Sequence, residues 1–536
     1  MKNYFFSTFI GLVISITIYG QNQTEKYDIK WGNEIEASRR QTLSGIIGSD
    51  QSGFYALKTK HGMFFGLSTE LTIEKYDNNA NLLKSVELTL TDEPKKRSYE
   101  DIIKVNDKYY LFTSFTDSKT KLNSLYVQTI DMASLTPNND KKKVADFDYS
   151  ESSWKRNRGD FLTTTSKDDS KVLAFYKLPF DRGEKKRIGF SVLDNSMNKI
   201  WSRDLALPYN DELCDIERIR VDNEGKVYVQ CTVYKEKRRA KRHGEPNYEY
   251  VLLCYKNGSE KPDDYKISLQ GKFLADMQFS VRNSKDIICA GFYSEKGTFS
   301  IKGAFYLTID GSSKEIIKQS YKEFSIDALV ENLTERQKKK VERKLEKGKE
   351  VELYEYDLDN IIMREDGGAL LYGEQYFVNA VTTTQTGPNG VITTITNYYY
   401  NYNDIIIVSV NPGGDIEWVT KIPKRQVTVN DNGFYSSYYN FLRNDKIYFL
   451  FNDNPQNLLE KTNDSKKYKN FSGGKNSVVV LAELDYNGNY TKDALFKSAD
   501  AEVIIRPKVC SEISKDEVVI FGQRRKTQRF AKIIFR

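Results

Sequence analysis

Few of these 536 residues have the types and spacing that conventional catalysis needs. The two histidines are His61, in KTKHGMFFG, and His243, in KRRAKRHGEP. A histidine-ligated metal or a histidine-centred acid–base scheme needs both in one place, and His243 stands among like charges that oppose a cation. Both are expected as exposed loop residues. The five cysteines, Cys214, Cys231, Cys254, Cys289 and Cys510, contain no CxxC, and an odd count is not a disulfide framework. They read as buried free thiols, with Cys231 and Cys254 the one pair on neighbouring expected strands. Asp168-Asp169 and Asp263-Asp264 are adjacent in sequence, so on a strand or turn they point apart. DYNGNYTKD and DNNAN lack the alternating carboxylates and closing Glu of a calcium loop and read as turns. There is no GxSxG, HExxH, P-loop or Rossmann fingerprint. A Ser-His-Asp hydrolase is thereby excluded more firmly than a carbohydrate-active enzyme, whose carboxylates would come from distant segments. No metal or cofactor is expected.

The constellation that stands out is cationic. KLPFDRGEKKR carries Arg182, Lys186 and Arg187; KEKRRAKRHGEP carries Arg238, Arg239 and Arg242; QRRKTQ carries Arg524 and Arg525. Each lies between an aromatic-rich apolar run and the next such run, as a hairpin connection does. These three belong to a set of eight connections that together hold more than twice the formal +7 of the whole chain. Gathered on one surface, they would form a field that attracts anions. Tyr398, Tyr399, Tyr400 and Tyr402, in a neutral connection, would add stacking faces.

The elements that must position these residues follow one grammar, clearest from Asp357 to Pro423. Asn360–Arg364 leads through Glu-Asp-Gly-Gly to Ala369–Phe377. A long Thr/Tyr/Asn connection follows, then Asp404–Val410, a Pro-Gly-Gly turn and Ile416–Ile422. Four β-branched and aromatic strands joined only by hairpins make a propeller blade. Its second strand recurs around Tyr55, Tyr110, Leu173, Val229, Ile288, Phe449 and Val519, at spacings of about 55 to 80 residues. With 36 Tyr, 29 Phe and only 11 Pro, the composition suits pleated strands. The fold class is all-β, an eight-bladed β-propeller over residues 21–536, with seven blades as the alternative if the first unit is an incomplete adjunct. The last unit stops after its third strand, and KYDIKWGNEI at the other end is an orphan. That N-terminal strand is therefore expected to complete the last blade and close the ring. Residues 325–350 interrupt the grammar with a dense charge field, expected to be a helix from about Thr334 to Gly348 on the rim.

Residues 1–20 read as a signal peptide: Lys2, an apolar run from Phe5 to Tyr19, then Gly20-Gln21. No other apolar run is long enough to cross a bilayer, so an exported protein without a membrane span is expected, in the periplasm, at the cell surface or beyond it.

The phrases NPGGDIEWVTKIP and DNSMNKIWSRDL put Trp418 and Trp201 just after a turn. On these the chain resembles exported bacterial β-propeller proteins whose activities are mostly unassigned. The turn Trp is missing from the other units, so a quinone cofactor is not implied. The resemblance implies an architecture, and function must be argued from a site. Two functions follow as expectations. The first is a secreted, non-enzymatic binding or scaffold propeller whose basic loop face takes an acidic polysaccharide, a surface polymer or a cell-surface protein. The second is a carbohydrate-active lyase or glycoside hydrolase with its site at the central channel. No nucleic-acid-binding signature appears.

Overall fold

The computed structural model describes residues 26–536 apart from 39–40, 61–69, 93–94, 151–160, 179–182, 237–240, 243–244, 270, 283–285, 296–299, 355, 365, 367, 387–391, 460–467 and nearly all of 325–352. Among the described residues, eight antiparallel sheets of four or more strands succeed one another along the chain. In the first, Gln41–Asp50, Gly53–Lys60, Glu70–Tyr76 and Leu82–Leu88 lie side by side in chain order. The same order of four holds within 98–148, 161–210, 214–267, 273–323, 356–422 and 438–497. Tight turns make this possible. Asn106-Asp107 has φ values of 47° and 61°, and Asn444-Asp445 has 47° and 58°. Both are two-residue turns whose twist matches that of the strands they join. The Asp-rich segments read as turns are turns: the Asp77 carboxylate accepts from the backbone of Asn79 and Asn81, each at 2.8 Å. Asp485 does the same for Asn487 and Asn489.

The eighth sheet is assembled from both ends of the chain. Ile504–Ile505 and Ser511–Ser514 pair with Glu517–Arg524, which pairs with Thr527–Phe535. The outer place is taken by Tyr27–Trp31, in register from Tyr27 opposite Phe535 to Trp31 opposite Ala531.

Packing runs between sheets. Second strands such as Gly53–Lys60 and Val227–Tyr234 are buried along nearly their whole length, whereas fourth strands such as Leu82–Leu88 and Ile316–Glu323 are mostly exposed. Eight apolar clusters each bridge two consecutive sheets. One of them joins the last sheet to the first, stacking Phe54 on Tyr76 at 4.9 Å and Tyr76 on Phe530 at 4.5 Å. The inner strands also bond from sheet to sheet: Lys104 Nζ to the Ser49 carbonyl at 3.0 Å, Arg220 to Gln278 at 3.2 Å, the Leu358 amide to Asp276 at 2.9 Å, and Ser49 Oγ to the Ile513 carbonyl at 3.0 Å. Small meander sheets that pack face to face around their inner strands are a β-propeller.

One expectation changes, and two lie outside the described residues. The Thr/Tyr/Asn connection of the sixth sheet is not a loop. Its flanking strands run on through it as Ala369–Thr386 and Ile392–Val410, because it is rich in the β-branched and aromatic residues that favour pairing. The helix expected within 325–350 and the signal segment 1–20 fall outside the described residues, save for isolated positions in the former. No helix of the described residues is long and apolar enough to cross a membrane.

Candidate functional site

Because successive strands reverse direction, the second-to-third hairpins and the connections between sheets emerge at the same end of the sheets. The basic residues singled out in the sequence distribute unevenly there. Arg182, Arg238 and Arg239 lie outside the described residues, as do His61 and His243. Arg242 pairs through its backbone with Glu245 in a short hairpin. Lys186 Nζ is 2.8 Å from Asp211. Arg187, half-buried on Lys185–Asp194, sits opposite Ala206. Arg524 is half-buried at the end of its strand, and Arg525 is exposed in the following turn with φ 54°.

Several lysines of these hairpins are neutralised. Lys58 is buried against Glu74 at 2.8 Å, Lys60 meets Glu70 at 2.5 Å and Lys302 meets Glu323 at 3.5 Å. The carboxylates come from the third or fourth strand, or from the connection to the next sheet, and so stand outside the segments counted as loops. Part of the excess cationic charge of the loops is therefore balanced by carboxylates outside them.

A denser polar site forms where the sixth, seventh and eighth sheets meet, at this same end and toward the inner strands. Lys424, just past the strand Ile416–Ile422, has no exposed side-chain surface. Its ammonium donates to Glu374, to the Tyr402 carbonyl at 3.0 Å and to Gln426 Oε1 at 3.2 Å. The other Glu374 oxygen accepts from Ser437 Oγ at 2.7 Å. Tyr438 donates its phenol proton to Asp359 on the neighbouring inner strand, and burial raises the Tyr438 pKa. Tyr376 packs on Tyr402 with ring centroids 4.6 Å apart. The chain passes Tyr402 so closely at Gly433 (φ 63°) that a Cβ there would lie 2.2 Å from the ring.

Two cations of this site have no carboxylate within ion-pair distance among the described residues. Lys508 donates to the Tyr402 hydroxyl at 2.8 Å and lies 4.2 Å from that ring's centroid. Partial burial of its ammonium lowers its pKa. Arg506, two residues earlier, stacks 4.0 Å over Phe434 and donates to the Leu43 carbonyl at 3.2 Å. Its Nε is buried with no acceptor, and desolvation lowers its pKa to about 10. A guanidinium and an ammonium held beside aromatic rings, short of counter-charge, are equipped to receive a carboxylate or sulfate.

Between the sixth and seventh sheets a second buried set supports this one. Asp453 accepts from Asn457 at 2.6 Å, but its other oxygen is buried with no partner, and burial pushes its pKa up to about 6. Lys492 lies 4.9 Å from the Tyr468 ring and donates to the Pro423 carbonyl; burial lowers its pKa to about 8. Asp404, fully buried, has its pKa raised for the same reason. Sequence reading singled out Tyr402 and missed the charged residues around it. The available signal was a charged residue inside an otherwise apolar run, such as Glu374 in ALLYGEQYF, which a buried partner must explain.

All five cysteines are free and buried. Among the described residues no cluster of His, Cys, Asp and Glu is arranged to hold a metal ion.

A scan against protein-family models finds no match, and no curated protein matches the sequence. Among solved structures, the chain is similar to the Dos1 propeller, with 9% identity, 94% of each chain covered and a TM-score of 0.40. It is similar to the WD40 domain of SCAP from fission yeast, with 9% identity, 95% of each chain covered and a TM-score of 0.39. A third is the β-propeller domain of the Trilobed protease from Pyrococcus furiosus, described as having an open velcro topology. There the identity is 10%, the coverage 86% of this chain and 98% of that one, and the TM-score 0.33. The architecture itself rests on the strand pairing and the inter-sheet clusters described above.

Proposed function

We propose that this chain is an exported, non-enzymatic propeller that binds an acidic polysaccharide at the inner end of its sixth to eighth sheets. The observation that carries the reading is the Arg506–Lys508 pair. Both cations stand beside aromatic rings with no carboxylate partner among the described residues. A glycan carboxylate or sulfate supplies the missing counter-charge. Charge-assisted hydrogen bonds of this kind are worth about 1.5–3 kcal/mol each. The scaffold reading is an eight-bladed ring closed by the N-terminal strand. It is supported by the pairing of Tyr27–Trp31 with Thr527–Phe535 and by the apolar cluster between the last and first sheets. Export rests on the sequence of residues 1–20. Of the cations singled out in the sequence, Arg524 and Arg525 at the eighth-sheet hairpin extend the surface for a long polymer.

A second reading, a carbohydrate-active enzyme at the same place, draws on Asp359, Tyr438 and Glu374 converging there. Glu374, however, is occupied by Lys424 and Ser437. Incubation with immobilised polygalacturonate and with a neutral glucan, followed by product analysis, separates the readings. Retention on the anionic polymer alone, with no released fragments, is expected. Equal retention on both polymers overturns the acidic-ligand reading, and released fragments establish the enzyme.

A further inference from the structure

The sixth sheet carries an element that no propeller blade needs. Beyond the blade, Ala369–Thr386 and Ile392–Val410 continue as a two-stranded ribbon, in register from Tyr376 opposite Tyr402 to Thr386 opposite Ile392. Its base is fixed by a third strand, Gln426–Val429, which pairs with Tyr399–Tyr402. On the other side nothing follows among the described residues: the first strand of the sheet pairs only as far as Gln375. From Val378 to Thr386 the edge is therefore unpaired among the described residues, and all nine residues are exposed. At about 3.4 Å per residue this free edge is roughly 30 Å long.

An edge of that length presents a row of backbone N–H and C=O groups, and proteins guard such edges with charge, bulges or proline. Val378–Thr386 itself carries no charge, no proline and no register shift. Phe377–Asn403 contains no Asp, Glu, Lys or Arg, in a chain whose residues are 29% charged. Val378, Val381, Ile392, Ile395 and Tyr398 are each 41–67% exposed. A neutral ribbon is the place where two copies of a net-positive chain approach without like-charge repulsion.

The sequence of the edge complements itself. Two copies of one strand pair antiparallel about a two-fold axis, so the numbers of facing residues have a constant sum. With the axis at Thr382, Val378 faces Thr386, Asn379 faces Gln385, Ala380 faces Thr384 and Val381 faces Thr383. Amide meets amide and β-branched residue meets β-branched residue, the pairings that stabilise sheets.

We propose that Val378–Thr386 pairs with the same segment of a second copy of this chain about a two-fold axis at Thr382, joining two propellers through a continuous four-stranded ribbon. Sedimentation of the full chain over a hundred-fold concentration range tests this, together with two variants outside the blade core. The wild type is expected to reach twice the mass of one chain. Thr382→Lys, which sets two like charges against each other at the axis, should stay at one chain with an unchanged melting temperature. Thr382→Cys should give a disulfide-linked dimer under mild oxidation, because residues directly opposite in such a pair have Cβ atoms about 4.5–5.5 Å apart and the native thiols are all buried. A wild type of one-chain mass throughout, with no cross-link for Thr382→Cys above the wild-type background, overturns the proposal. A dimer undiminished by Thr382→Lys also overturns it. So does a monomer that captures a Thr/Val-rich synthetic strand peptide at this edge, which would assign the edge to a foreign strand.

Discussion

Replacing Lys424 by Met tests the polar site where it is least forgiving. The two side chains are nearly matched in length, so the change removes a charge and three donors without opening a large cavity. Lys424 has no exposed side-chain surface and Glu374 has 5%, so water cannot take over the lost contacts. Breaking one partner of a buried pair costs about 3–5 kcal/mol, since the remaining charge stays desolvated. The Tyr402 carbonyl loses its donor from Lys424, whereas Gln426 Oε1 keeps the Ser437 amide at 2.7 Å. Lys424→Met should therefore destabilise the fold by about 4 kcal/mol. With an unfolding entropy of about 2.1 cal/mol/K per residue over roughly 500 residues, a ring that melts as one unit loses about 4 °C. Adding Glu374→Gln removes the stranded charge and should recover half or more of that loss. Urea unfolding followed by tyrosine fluorescence, with calorimetry alongside, reads both numbers. A single variant within 1 kcal/mol of wild type, or a double variant less stable than the single, would show that the pair is not holding these sheets together.

Two further outcomes follow from the same packing. Asp453 has its folded pKa raised to about 6 from an ordinary 3.8. The stability it contributes is therefore fully present below about pH 4 and is lost as pH rises through about 6, by roughly 3 kcal/mol at most. Asp453→Asn should flatten the stability profile in that window, and an unchanged profile in urea melts at stepped pH refutes the assignment. Tyr27 is 2% exposed, packed in the cluster between the seventh and eighth sheets with its ring 6.3 Å from Phe535. Tyr27→Ala should cost about 3–5 kcal/mol, the range for large aromatic truncations. A loss under 1 kcal/mol would mean that the N-terminal strand does not hold the last sheet.

The strands were legible in the sequence because propeller strands announce themselves locally. Runs such as KVYVQCTVY are β-branched and aromatic throughout, and Asn/Asp/Gly turns separate them. The orphan pattern KYDIKWGNEI likewise pointed to a missing partner, and the chain pairs it with Thr527–Phe535. The ribbon was misread for an opposite reason. The Thr, Asn and Tyr of this stretch read as a polar connection, whereas Thr and Tyr, as strong strand formers, pair across two facing strands as an extension. The site was hardly legible at all. Glu374, Lys424, Ser437 and Lys508 are far apart in sequence, and each is unremarkable until the sheets bring them to Tyr402, the one member the sequence singled out. Counting loop charges also drew a line between Lys58 and Glu74 that the fold erases, because a salt bridge joins a hairpin to its own strand.

The most direct measurement is calorimetric titration of an oligogalacturonate into the wild type and an Arg506→Gln/Lys508→Gln variant at increasing sodium chloride. The account predicts wild-type affinity that falls as salt rises. In the variant, binding should be at least about ten-fold weaker, with a flatter salt dependence. Affinity indifferent to salt, or equal in the two proteins, would contradict it.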